Sequence, residues 1–117
     1  MFTHAIARSS RNHVRKCTLL IGGEATFDNE EEMHRTFSET LRGCDHLIVD
    51  IDKIEQADLS FVMLICSTHR TAELLKKRLT VKGVMPSASK WHFEYASESR
   101  KRGCLFSRRR HCLFWER

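Results

Sequence analysis

The chain has 117 residues, of which 41% are apolar and 30% charged, and its formal charge is +5. That length fits one domain with one modest core. The longest apolar run, residues 61–66, is far shorter than the roughly 20 residues needed to span a bilayer, and residues 1–16 lack the apolar stretch of a secretory signal, so no membrane insertion and a cytoplasmic location are expected.

Residues 3–8 are weakly patterned and are read as an edge strand. Residues 14–21 read as a strand with Cys17, Leu19 and Ile21 on one face, because alternate side chains point the same way. Gly22 and Gly23 are expected to break it, in a bulge or a close turn. Asp28 or Asn29 can cap a helix whose first turn carries Glu30, Glu31 and Glu32, where the helix dipole favours negative charge. Met33, Phe37 and Leu41 make one apolar stripe, and Gly43 ends the helix. Residues 46–51 form the next strand. The run Leu47-Ile48-Val49 predicts burial on both faces, the segment Asp50 to Lys53 is expected to leave the sheet, and Ile54 and Ala57 are read as inward-facing loop residues.

Asp58 can cap a helix over residues 59–76, with Phe61, Leu64, Ile65, Thr68, Ala72 and Leu75 on one face. Residues 79–82 read as a strand with Leu79 and Val81 inward. Residues 83–87 turn into a last helix over 87–99 that sets Trp91 and Tyr95 four residues apart. Strands alternating with helices predict an α/β fold with parallel pairing, completed by an antiparallel strand at the start.

Seven basic residues (Arg100, Lys101, Arg102, Arg108, Arg109, Arg110 and Arg117) fall in 100–117, so residues 1–99 are read as the domain and 100–117 as a basic, cysteine-containing extension. No DNA- or RNA-binding motif accompanies these arginines, and a nucleic-acid partner is not expected. The odd cysteine count argues against a disulfide framework. Cys17, Cys44 and Cys66 are expected in the core.

The candidates for chemistry are few. Asp50 and Asp52 are expected on opposite strand faces, so they form no acid–base pair. Ser67 and His69, and Ser60 and His69, are spaced wrongly on one helix to form a serine–histidine couple. No nucleophile elbow or phosphate-cradling glycine loop is present. Cys104, His111 and Cys112, with His92 upstream, are zinc-type ligands, but at a spacing that matches no paired zinc motif. No enzyme activity, metal or cofactor is expected. The most informative segment is Asp58-Leu59-Ser60. A phosphate on a serine in the first turn of a helix meets the exposed amides and the dipole, and adds roughly −1.5 to −2 charges.

The order and spacing of these parts over residues 14–99 resemble the STAS (sulphate transporter and anti-sigma factor antagonist) family. The strand ending at Gly22, the helix after it, residues 46–52 with Ile54, the turn Asp58-Leu59-Ser60 and the helix from Phe61 carry the likeness. The resemblance implies a mixed sheet of four to five strands with helices packed on one side. It also implies a protein partner, often a kinase-like anti-sigma factor, released by phosphorylation at the position of Ser60. The docking surface would include Asp58, Leu59, Ser60, Phe61 and Met63. The alternative within the family is a constitutive subunit of a larger assembly such as a lipid-transport ABC complex. Two residues depart from the family's turn: Leu59 replaces its first serine, and Phe61 replaces its glycine.

Overall fold

The computed structural model of the chain describes residues 1–83. The expected last helix with Trp91, His92 and Tyr95, and the whole extension with Cys104, His111 and Cys112, lie outside the described residues. The elements in chain order are β1 (Phe2–Arg11), β2 (Val14–Ala25), α1 (Glu30–Arg42), β3 (His46–Ala57), α2 (Leu59–Leu74) and β4 (Arg78–Lys82). The four strands form one mixed sheet in the order β1-β2-β3-β4. The β1–β2 pair is antiparallel, while β2–β3 and β3–β4 are parallel. Each parallel step is made through a helix, as parallel connections require.

Alternation builds the core. Cys17, Leu19 and Ile21 of β2, Leu47, Val49 and Ile51 of β3, and Leu79 and Val81 of β4 all point to the buried face. Met33, Phe37 and Leu41 of α1 and Phe61, Ile65 and Ala72 of α2 close over them in one cluster. The other face is open: Leu20 is exposed and Ile48 and Thr80 are only half-buried. The expected burial of Leu47-Ile48-Val49 on both faces is therefore corrected, because both helices cover the same side. Leu75, expected on the apolar face of α2, is the C-cap residue and is 53% exposed.

Cys17, Cys44 and Cys66 are buried free thiols. Burial first, and the neighbouring Cys17 second, push the Cys44 thiol up to about 11. It therefore stays protonated and inert near neutral pH.

Two strands run further than expected. β2 passes through Gly22 and Gly23 without a break, and β3 continues to Ala57, so Asp50 to Lys53 stay in the sheet and Ile54 and Ala57 are strand residues. The β2–β3 register shifts between Leu20 and Gly22 and between Gly23 and Glu24, each time with one extra residue on β3. Such bulges flip the alternation of the longer strand. Burial accordingly moves from Leu47, Val49 and Ile51 to Ile54. Asp50 and Asp52, two apart on a strand, share its outer side rather than opposite faces, and Asp52 N donates to Asp50 Oδ1 at 3.1 Å.

Asn12 and His13, at φ 52° and 67°, form the two-residue turn between β1 and β2. Two left-handed residues give the twist that such hairpins need. Gly23 also sits at positive φ, 73°, and its missing side chain makes room for the Met1 carbonyl. Gly23→Ala is therefore expected to cost about 1–3 kcal/mol through left-handed strain and displacement of the start of β1. A urea unfolding midpoint equal to that of the parent chain would refute this.

The cap of α1 also differs from expectation. Asn29 is the N-cap residue but makes no side-chain cap bond; its Nδ2 donates instead to the Glu24 carbonyl at 2.9 Å. Asp28 lies in the short 3-10 turn that precedes the helix. The acidic first turn, Glu30 to Glu32, is as expected. No helix among the described residues is long and apolar enough to cross a membrane.

Candidate protein-docking site

The candidate site lies where β2 and β3 end side by side, at the paired residues Ala25 and Ala57. Beyond them the chain enters the Thr26–Phe27 segment on one side and the Asp58 turn on the other. Asp58 is extended, at φ −131° and ψ −174°, which suits an N-cap residue. Its two oxygens act separately. Oδ1 accepts from Ser60 N at 3.0 Å and also from the Ser60 hydroxyl. Oδ2 accepts from Phe27 N at 2.9 Å. One carboxylate thus caps α2 and ties the β2–α1 connection to it.

An open groove of about 580 Å³ runs beside this carboxylate, between the starts of α1 and α2. Its apolar part is formed by Phe27, Leu59 and Met63, which are 68%, 45% and 47% exposed. Glu30 and Asp58 add carboxylates to the lining, and His34 and Ser67 also line it. Apolar side chains in such numbers at one spot, with polar groups around them, are typical of a surface that meets another molecule.

Of the residues singled out by sequence, Asp58, Leu59, Ser60 and Met63 line this groove together. Phe61 does not: its ring is fully buried and meets Phe37 edge-on, with ring centroids 6.3 Å apart. The structure therefore places Phe61 beneath the site rather than on its surface. Phe27, Glu30 and His34 were not legible as site residues. The one available signal was Phe27, a lone aromatic in the otherwise polar stretch 24–32.

Ser60 is half-buried and its hydroxyl already donates to Asp58. A phosphate there would replace that donor with a dianion next to a carboxylate, and the Ser60 amide that could hold the phosphate is already engaged by Asp58. Ser60 and Phe27 thus share one acceptor, the Asp58 carboxylate. His69 lies buried further along α2, with Nε2 2.9 Å from Glu73 Oε1. Among the described residues no group of three or more His, Cys, Asp or Glu could hold a metal ion.

A family described as "Mlab, STAS domain" matches residues 9–91 of the chain. No curated protein matches it in sequence. Solved structures share its fold. The Bacillus cell fate determinant SpoIIAA in its phosphorylated form is 17% identical, with a TM-score of 0.60 over 80% of this chain and 83% of that one. The anti-sigma factor antagonist SpoIIAA in its unphosphorylated form is 16% identical, with a TM-score of 0.56 over 78% and 83%. An anti-sigma factor antagonist from Mycobacterium paratuberculosis is 9% identical, with a TM-score of 0.59 over 85% and 82%.

Proposed function

Because this chain belongs to the STAS domain family, we propose that it is a non-enzymatic regulatory module that binds a protein partner through the groove beside Asp58 and is switched by phosphorylation of Ser60. In this reading residues 1–99 make up the module and 100–117 an extension, and the partner is of the kinase-like anti-sigma class. The observation that carries the reading is the division of labour at Asp58. One oxygen holds Ser60 and the other holds Phe27, so a new charge on Ser60 is felt directly at the groove wall. Exposed Phe27, Leu59 and Met63 supply the apolar contact, and such residues dominate binding energy when a partner excludes water from them. The fold shared with anti-sigma factor antagonists, one of them solved in a phosphorylated form, supports the same reading.

Ser60→Asp is expected to weaken partner retention by about tenfold or more, or ~1.4 kcal/mol, whereas Ser60→Ala should retain it, since the hydrogen bond donated by the backbone N–H at this position to Asp58 survives. The full chain, immobilised and challenged with lysate from its own cells, tests this, with quantitative mass spectrometry of the retained proteins and of Ser60 itself. Equal retention by all three proteins would remove the switch and leave a constitutive subunit as the reading.

A further inference from the structure

The end of the sheet away from Asp58, where β2, β3 and β4 begin, is strongly cationic. Residues 1–83 hold twelve Lys and Arg against twelve Asp and Glu, so they are neutral as a whole. The charges are nevertheless segregated. Arg11, Lys16, His46, Lys76, Lys77 and Arg78 line one depression of about 490 Å³, together with a single carboxylate, Asp45. That carboxylate is already engaged by Arg15, whose Nη2 and Nε reach its two oxygens at 3.3 Å.

The arrangement runs against ordinary sheet design. Lys16, His46 and Arg78 are direct register partners on three neighbouring strands. Two cations thus flank one imidazole with no acidic residue in the row, and like charges close together on a sheet are unfavourable. Burial first, and the neighbouring cations Arg78 and Lys16 next, hold the His46 imidazole below its usual range. Lys77 adds its ammonium from the side, anchored to the end of α1 through the Leu41 and Arg42 carbonyls at 2.7 and 3.3 Å.

We propose that this depression is a second binding site and that it takes an acidic segment of a partner protein. Three features select that occupant among anions. The local backbone amides are already used: Arg15 N donates to Asp45 Oδ2, Lys77 N to the Ala72 carbonyl and Arg78 N to the Asp45 carbonyl. No free amide cluster of the kind that holds a lone phosphate is offered there. No Phe, Tyr or Trp lines the depression to stack a base, and its one imidazole, His46, is tethered through Nε2 to the Thr80 hydroxyl at 2.9 Å. Exposed Val14 and the aliphatic stems of the lysines give apolar contact between separated charges, which suits carboxylates spaced along a peptide. The site lies nine residue steps of β2 away from the Asp58 groove, from Lys16 to Ala25, or about 30 Å, so one chain can hold two protein segments at once.

The test uses the full, isotope-labelled chain titrated with a short Glu-rich peptide and followed by amide shifts. Shifts are expected at Lys16, His46 and Arg78, with affinity falling about tenfold at ~300 mM NaCl. Lys16→Glu with Arg78→Glu should abolish binding. If that pair disturbs the sheet, Arg11→Glu, at the hairpin end, should weaken it alone by about threefold or more. Reversal of Arg108, Arg109 and Arg110 should change affinity less than about twofold, which separates the site from the basic extension. Three results would each overturn the proposal: shifts confined to other residues, unchanged affinity in both the Lys16→Glu/Arg78→Glu and the Arg11→Glu variants, or tighter binding of a single-stranded oligonucleotide of equal charge.

Discussion

Phe61→Ala is expected to remove about 3–5 kcal/mol of stability, the range for truncating a large side chain in a packed core. The ring is wholly buried and sits edge-on to Phe37 of α1 at 82°. It therefore holds the two helices together as well as filling the space above the sheet. Edge-on aromatic pairs add roughly 0.5–1.5 kcal/mol beyond the area they bury. A domain of this size is stable by only about 5–15 kcal/mol, so about a fifth or more of the margin goes with this one ring. Urea unfolding should show a much lower midpoint with an unchanged slope. A loss below ~1 kcal/mol would mean that the core collapses into the space and that the pair is not a keystone. The resemblance sets a glycine at this position in the family's turn. Restoring it here should cost more than alanine does, because glycine adds its own helix penalty of about 1 kcal/mol.

Asp58→Ala should cost about 2–3 kcal/mol. Loss of an N-cap acceptor accounts for roughly 1 kcal/mol. The remainder comes from the Phe27 and Ser60 donors, which lose a charged acceptor. Asp58→Asn keeps one acceptor oxygen and should cost about half as much. The two effects can be separated by hydrogen exchange. The alanine variant should release the Phe27 amide by far more than amides in β3, because the tie across the groove is gone while the sheet is intact. Unaltered protection of Phe27 would show that the connection is held by packing alone, and the proposed coupling between Ser60 and the groove wall would fall with it.

How much of this was legible depended on how local the cause is. The alternation Cys17-Leu19-Ile21, the stripe Met33-Phe37-Leu41 and the Asp58 cap each arise within a few residues, and each is found where the sequence put it. The failures come from distant pairing. Gly22 and Gly23 read as a break by a bulge or a turn; register shifts do fall beside them, yet β1 and β3 flank them on both sides and carry the strand through. The charged stretch after Asp50 reads as a loop because the two bulges in β3 break its alternation. Asn29 reads as a cap, but the nearby Glu24 carbonyl takes its side chain. The groove needs Phe27 of one connection beside Leu59 and Met63 of another. The cationic row unites residues 16, 46 and 78 purely through parallel register. No periodicity within any one segment carries either signal.

The tight turn at Asn12 and His13 also bears on how the chain reaches this state. It joins the one strand pair whose partners are neighbours in sequence, with Arg11 opposite Val14. Hairpins of that kind zip up in about 1–10 microseconds. Parallel partners such as Lys16 and His46, or His46 and Arg78, must first wait for a whole intervening helix to be laid down, and loop closure of that length slows assembly. The β1–β2 ribbon is thus suited to act as the early template, and the arrival of β3 along its free side is the expected slow step.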